Sequence, residues 1–104
     1  MSPPPAIELR DGRIYLSRSA YDDYFSGSNS VILLREQKDL LILPVRNQGA
    51  GGYLIKIRNV AADRVISGAD FFRLQGLEDS TRWQGRYDWC DRSAGLRLYD
   101  MFLM

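Results

Sequence analysis

The chain has 104 residues, enough for one small domain with one core and no staples. Lys and Arg number 14 and Asp and Glu 13, so a net charge of +1 gives no bulk pull toward nucleic acid or anionic membrane. Histidine is absent and Cys90 is the single cysteine, which removes the usual general base, the commonest metal ligand, internal disulfides and thiolate clusters.

Residues 1–6 are a proline-rich lead, Met1-Ser2-Pro3-Pro4-Pro5, expected to be extended and disordered. It has neither the basic nor the apolar run of a signal peptide, and with the lone thiol this makes the cytoplasm the expected compartment. Ile7 and Leu9 alternate with Glu8 and Arg10, the pattern of a half-buried strand. Asp11-Gly12 marks a turn, and Ile14 and Leu16 alternate with Arg13 and Tyr15 in a second strand. Ser17 or Ser19 caps a short helix over 20–25, and Gly27 ends it. Ser30 to Arg35 and Asp39 to Val45 read as a hairpin with both faces buried or nearly so. Pro44 requires a strand end or an edge.

Residues 47–52, Asn47-Gln48-Gly49-Ala50-Gly51-Gly52, read as a linker. Tyr53, Ile55 and Ile57 alternate with Leu54, Lys56 and Arg58 in one continuous strand. Arg64 to Ser67 is a further strand, and a helix is expected over 69–77. A strand from Trp83 to Cys90 places Trp83, Gly85, Tyr87 and Trp89 on one face. A turn over 91–95 leads into a last strand that runs to Phe102, and Met101 to Met104 form an apolar tail.

The rhythm strand, helix, strand, turn, strand is thus written twice, about fifty residues apart, which points to a supersecondary unit that cannot bury its apolar face alone. The expected organisation is a single domain over 7–104, with unit one at 7–46 and unit two at 53–104.

Gly12-Arg13-Ile14, the short helix, and the hairpin from Val31 to Pro44 resemble the SpoVT-AbrB swapped-hairpin family. That family includes AbrB, MazE-type antitoxins and MraZ, and MraZ proteins carry two such units in one chain. The resemblance covers residues 7–46 well and 53–102 more loosely. It implies a β-rich α+β fold, with two strand–helix–hairpin units forming one small barrel-like, swapped-hairpin domain. It also implies a DNA-binding regulator or antitoxin, as a homodimer or a single-chain pseudodimer. Two positions depart from the pattern. Ser17 stands where proline is usual, and Tyr21-Asp22-Asp23-Tyr24 stand where the family carries basic residues, so carboxylates there repel phosphate.

Arg10, Arg13, Arg18 and Arg64 are the candidate phosphate contacts. The competing reading is solvated arginines paired with Glu8, Asp11 or Asp22. Trp83, Tyr87 and Trp89, with Arg86 on the reverse face, are the candidate partner surface. The competing reading is the core face of a strand. Gly49 to Gly52 is followed by neither Lys-Ser nor a helix and is no phosphate loop. Asp22-Asp23 and Glu78-Asp79 diverge and suit solvated helix ends better than a metal, and Cys90 lacks a base to activate it.

No catalytic set, cofactor motif or metal set emerges, so an enzyme is not expected. The expected function is a DNA-binding regulator or antitoxin-like protein. The alternative is a protein-interaction or assembly module of the same fold without DNA binding. A small ligand-binding barrel, which a deep apolar pocket would reveal, is the third.

Overall fold

The computed structural model describes residues 4–46 and 52–102. The Gly-rich stretch at 47–51, the start of the proline lead and residues 103–104 of the apolar tail lie outside the described residues.

Strands β1 (Ile7–Arg10) and β2 (Arg13–Leu16) form a tight hairpin. Asp11 and Gly12 turn it at φ values of 54° and 71°, and two successive positive φ values match the right-handed twist of the flanking strands. Helix α1 (Arg18–Tyr24) starts two residues earlier than expected, because Ser17 is the cap and its Oγ accepts the Ala20 N–H at 3.1 Å. Gly27 follows at φ +84°. Strands β3 (Ser30–Glu36) and β4 (Asp39–Val45) pair along their full length.

The strand expected over 53–58 is broken into β5 (Tyr53–Leu54) and β6 (Lys56–Ile57), which belong to different sheets. Ile55 sits at the corner and donates its N–H to Asn29 O at 2.8 Å. After β7 (Arg64–Ser67), helix α2 (Ala69–Leu74) stops short of the expected 77, with Gly76 at φ +87°. Of the stretch expected as one strand from Trp83, only β8 (Tyr87–Cys90) is continuous ladder, and Trp83 makes an isolated bridge to Leu9. The last strand, β9 (Gly95–Leu98), ends before Asp100, whose φ of 58° turns the chain. Met101 and Phe102 then fold back into the core, and Phe102 N–H reaches Lys38 O at 2.9 Å.

The result is a β-rich α+β domain of two antiparallel sheets and two helices. The first sheet has the order β1-β2-β7-β6 and the second the order β5-β3-β4-β9-β8. Each contains an antiparallel pair that joins the two halves of the chain, β2 with β7 and β4 with β9. Their apolar faces meet in one core, with Ile7, Leu9, Ile14, Leu16 and Ile66 from the first sheet against Val31, Leu33, Leu40, Ile42, Leu96 and Leu98 from the second. Phe25, after α1, and Phe72, in α2, fill the space beside them. No helix among the described residues is long and apolar enough to cross a membrane.

The barrel-like closure implied by the resemblance is not formed among the described residues: the strands make two separate sheets. The chain passes between them at corners, through Ile55 and again between Trp83 and Tyr87, where no ladder of strand pairs continues around the edge. The second sheet is also less buried than expected. Ile32 and Leu34 are 39% and 47% exposed on its outer face, because no element lies over them among the described residues. Pro44 is tolerated in β4 because β9 pairs only with Leu40, Leu41 and Ile42, so no ladder bond needs the missing N–H.

Gly12 ties the first hairpin to α2. Its carbonyl accepts the Gly68 N–H at 3.1 Å, and a Cβ at this position would lie 2.7 Å from Ala69 Cβ. The Gly-Arg start of the sequence pattern therefore has a steric cause in addition to the turn. Gly12→Ala adds a left-handed backbone penalty to that overlap. We predict a loss of about 2–4 kcal/mol of stability in urea unfolding. A loss below about 0.5 kcal/mol would show that α2 gives way without cost.

Candidate functional site

Alternation along the first sheet separates its two faces. Leu9, Ile14 and Ile66 point into the core, so Glu8 and Arg10 of β1, Arg13 and Tyr15 of β2, Val65 of β7 and Lys56 of β6 point outward. Cross-strand register places Arg10 opposite Arg13, Glu8 opposite Tyr15, Tyr15 opposite Val65 and Lys56 opposite Val65. Arg58 follows β6 on the same face. Its guanidinium carbon lies 4.6 Å from the centroid of the Tyr15 ring, and that of Arg10 lies 3.9 Å from the same centroid. The ring's π face attracts both cations and holds two otherwise mobile side chains at one place.

Four basic residues thus share one exposed face around Tyr15: Arg10, Arg13, Lys56 and Arg58. They are not equally free. Arg10 Nε donates to Glu8 Oε1 at 3.1 Å, and this bond, more than any other influence, raises the arginine's already high pKa. Asp11 adds a longer contact to Arg10 at 3.9 Å. Arg13, Lys56 and Arg58 make no ion pair among the described residues. A shallow cleft of about 260 Å³ borders the face, lined in part by Pro5, Tyr15, Arg58, Asn59 and Asp63.

Of the four arginines expected on one surface, only Arg10 and Arg13 share a face. Arg18 heads α1, where its side chain lies 3.8 Å from Asp22 and its backbone N–H donates to Asp63 Oδ1 at 2.9 Å. Arg64 has the alternation of Ile66 and therefore the opposite face from Val65. It lies over the Tyr21 ring at 4.0 Å and donates to the Ala62 carbonyl. Lys56 and Arg58 take their places. Their signal was present in the sequence, since the alternation through 53–58 already put Leu54, Lys56 and Arg58 on one side.

The expected partner surface is divided. Trp83 is only 8% exposed; it packs in the core and donates Nε1–H to Tyr99 O at 2.9 Å. Of the two readings the sequence left for Trp83, partner surface or core face, its position is that of the core face, and the backbone bridge with Leu9 turns the indole inward. Tyr87 and Trp89 are half-buried beneath α1. Tyr24 stacks on Trp89 with centroids 6.1 Å apart and meets Tyr87 edge-on at 6.2 Å. Burial is the main cause that raises the Tyr24 pKa. Arg86 lies 3.9 Å from the Tyr99 ring centroid, beside an open cleft of about 400 Å³ that Trp83 also lines. Cys90 is half-buried, and the Ser93 hydroxyl at 3.5 Å lowers its pKa.

No protein-family model matches the chain, and neither the curated proteins nor the solved structures offer a significant match.

The loop between β6 and β7 is braced by Asp63. Its carboxylate accepts from Asn59 Nδ2 at 3.0 Å and from the Arg18 N–H at 2.9 Å, and these bonds, Asn59 first, hold its pKa below the usual aspartate value. A lowered folded pKa makes this contribution complete above the ordinary aspartate pKa. It is lost as pH falls through the lowered one. Asp63→Ala is therefore expected to cost stability at pH 7 and to flatten the acid limb of a thermal-unfolding series between about pH 5 and pH 2. An acid limb as steep as that of the unmodified chain would place the acid sensitivity elsewhere.

Proposed function

We propose that this chain is a non-enzymatic DNA-binding regulatory or antitoxin-like domain that lays the outer face of its first sheet on a duplex. The observation that carries the reading is the gathering of Arg10, Arg13, Lys56 and Arg58 on one exposed face around Tyr15. Arginine and lysine neutralise phosphates and release their counterions, and a sheet supplies a rigid base for them. With a net charge of only +1, attraction depends on this concentration and not on the molecule as a whole. The resemblance of residues 7–46 to the SpoVT-AbrB swapped-hairpin family leads to the same function. The acidic helix α1 is then no part of the contact, since Asp22 and Asp23 have the wrong sign for phosphate.

Fluorescence anisotropy of the purified protein against the duplex upstream of its own coding sequence, across a salt series, tests this. Four phosphate contacts give a slope of log K against log salt of about −3 to −4. Arg13→Ala and Arg58→Ala each reduce the slope by about 1, while Arg18→Ala leaves it unchanged. No binding at low salt sinks the reading.

A second reading rests on a different surface. Ile32, Leu34 and Leu54 lie on the outer face of the second sheet and are 39%, 47% and 59% exposed. An apolar sheet face of that kind suits a protein-interaction module of the same fold that no longer binds DNA. Absence of DNA binding together with concentration-dependent self-association, or capture of a protein partner lost in Ile32→Ser, would favour it.

A further inference from the structure

Resting on the DNA-binding reading above, we infer that one chain occupies one duplex site and that the site it prefers is asymmetric, with no palindrome. Strand order is the ground for this. The first sheet runs β1-β2 then β7-β6 and is mirrored about a pair made of one strand from each half; the second repeats that plan in β3-β4 then β9-β8, with β5 added at its β3 edge. An approximate two-fold axis therefore passes through the centre of the β2–β7 pair, where Tyr15 faces Val65. Two-fold DNA readers usually obtain that symmetry from two identical protomers, and identical protomers demand identical half-sites. Here both halves of the face already belong to one polypeptide.

The register fixes where each half reaches. Arg13 lies opposite Ser67 and Leu16 opposite Arg64, so the turn before β2 and the turn before β7 are at opposite ends of the sheet. The first end carries Arg10 and Arg13, with Glu8 and Asp11 against Arg10. The second half carries Lys56, level with Tyr15 and Val65, and Arg58 beyond it toward that end, with Asn59 and Asp63 in the adjoining loop. The backbone plan is repeated, but the chemistry is not. One end offers two arginines, one of them partly neutralised. The other offers a lysine and an arginine with no ion pair among the described residues. An arginine fork reads guanine in the major groove where a lysine supplies chiefly a point charge, so the two ends prefer different bases. Tyr15 sits between the two ends, and Arg10 from one half and Arg58 from the other both lie over its ring. Repeating one half-site as a palindrome gives one end its preferred bases and the other the wrong ones.

Selection from a pool of duplexes with a randomised centre, followed by sedimentation velocity of the full chain with the labelled winning duplex, tests the inference. The expected result is an asymmetric consensus bound at one chain per duplex. Arg13→Ala is expected to relax base preference on one side of that consensus and Arg58→Ala on the other, with circular dichroism showing both variants folded. A palindromic consensus, or two chains per duplex, overturns the inference and leaves the DNA-binding reading standing. Failure of every duplex to bind, even at low salt, overturns both.

Discussion

The molecule depends on two antiparallel strand pairs that no single half of the chain can make. In the first sheet β2 lies against β7, and in the second β4 lies against β9. Ile14 and Ile66 face each other across the first pair, and Ile42 and Leu96 across the second; all four are fully buried. Full burial of one such side chain stabilises by about 1.5–3 kcal/mol, so these four account for roughly 6–12 kcal/mol of gross apolar stabilisation. That is comparable to the whole net stability of a small domain. A half on its own would leave one face of each hairpin wet, and the repeated rhythm in the sequence is the visible trace of this constraint.

Polar contacts then tie the second sheet's hairpin to its last strand. Arg97 of β9 reaches back to the β3–β4 turn, with Nη2 at 2.6 Å from Glu36 Oε1 and Nη1 at 2.8 Å from Asp39 Oδ2. Its side chain is only 17% exposed, so the pair is screened less than a surface ion pair, and Glu36 first, then Asp39, raise the arginine's pKa further. Asp39 also accepts the Asp100 N–H at 2.9 Å. The turn that directs Phe102 into the core is therefore tied to the same carboxylate. One acidic residue coordinates the hairpin, the last strand and the closing of the chain over the core.

What was legible in the sequence was what adjacent residues determine. The β1–β2 hairpin follows from Asp11-Gly12 between two alternating runs, and the β3–β4 hairpin from two apolar runs around a polar turn. Positions 53–58 failed for an instructive reason. Alternation reports which way side chains point, not which strand lies alongside, so a strand that changes sheets at Ile55 keeps its period and hides the corner. Trp83 failed in the same way: it shares parity with Tyr87 and Trp89 but pairs with β1 in the other sheet. The candidate site was half legible. Arg10 and Arg13 lie in one hairpin and could be placed together from local sequence. Lys56 and Arg58 join them only because β6 pairs with β7 and β7 with β2, a chain of long-range contacts with no local mark. Arg64 was misplaced by a single residue of parity, since its neighbour Val65 has the outward face.

The distribution of charge also explains why the composition is silent about function. The sums of 14 basic and 13 acidic residues nearly cancel, yet the acids are placed selectively. Asp22 answers Arg18, Asp79 answers Arg73, Asp88 answers Arg86, and Glu36 and Asp39 answer Arg97. On the outer face of the first sheet, among the described residues, only Arg10 is held in an ion pair, by Glu8 and more distantly Asp11. The exposed pairs of Arg18, Arg73 and Arg86 are nearly neutral in energy and in field. Arg13, Lys56 and Arg58 of the first sheet's face make no ion pair among the described residues, and they stand around an aromatic ring that orders one of them. At physiological salt the field of a distant charge fades within about 8 Å, so a ligand approaching this face meets those cations more than the charges elsewhere on the molecule. A nearly neutral protein can in this way present a locally basic surface.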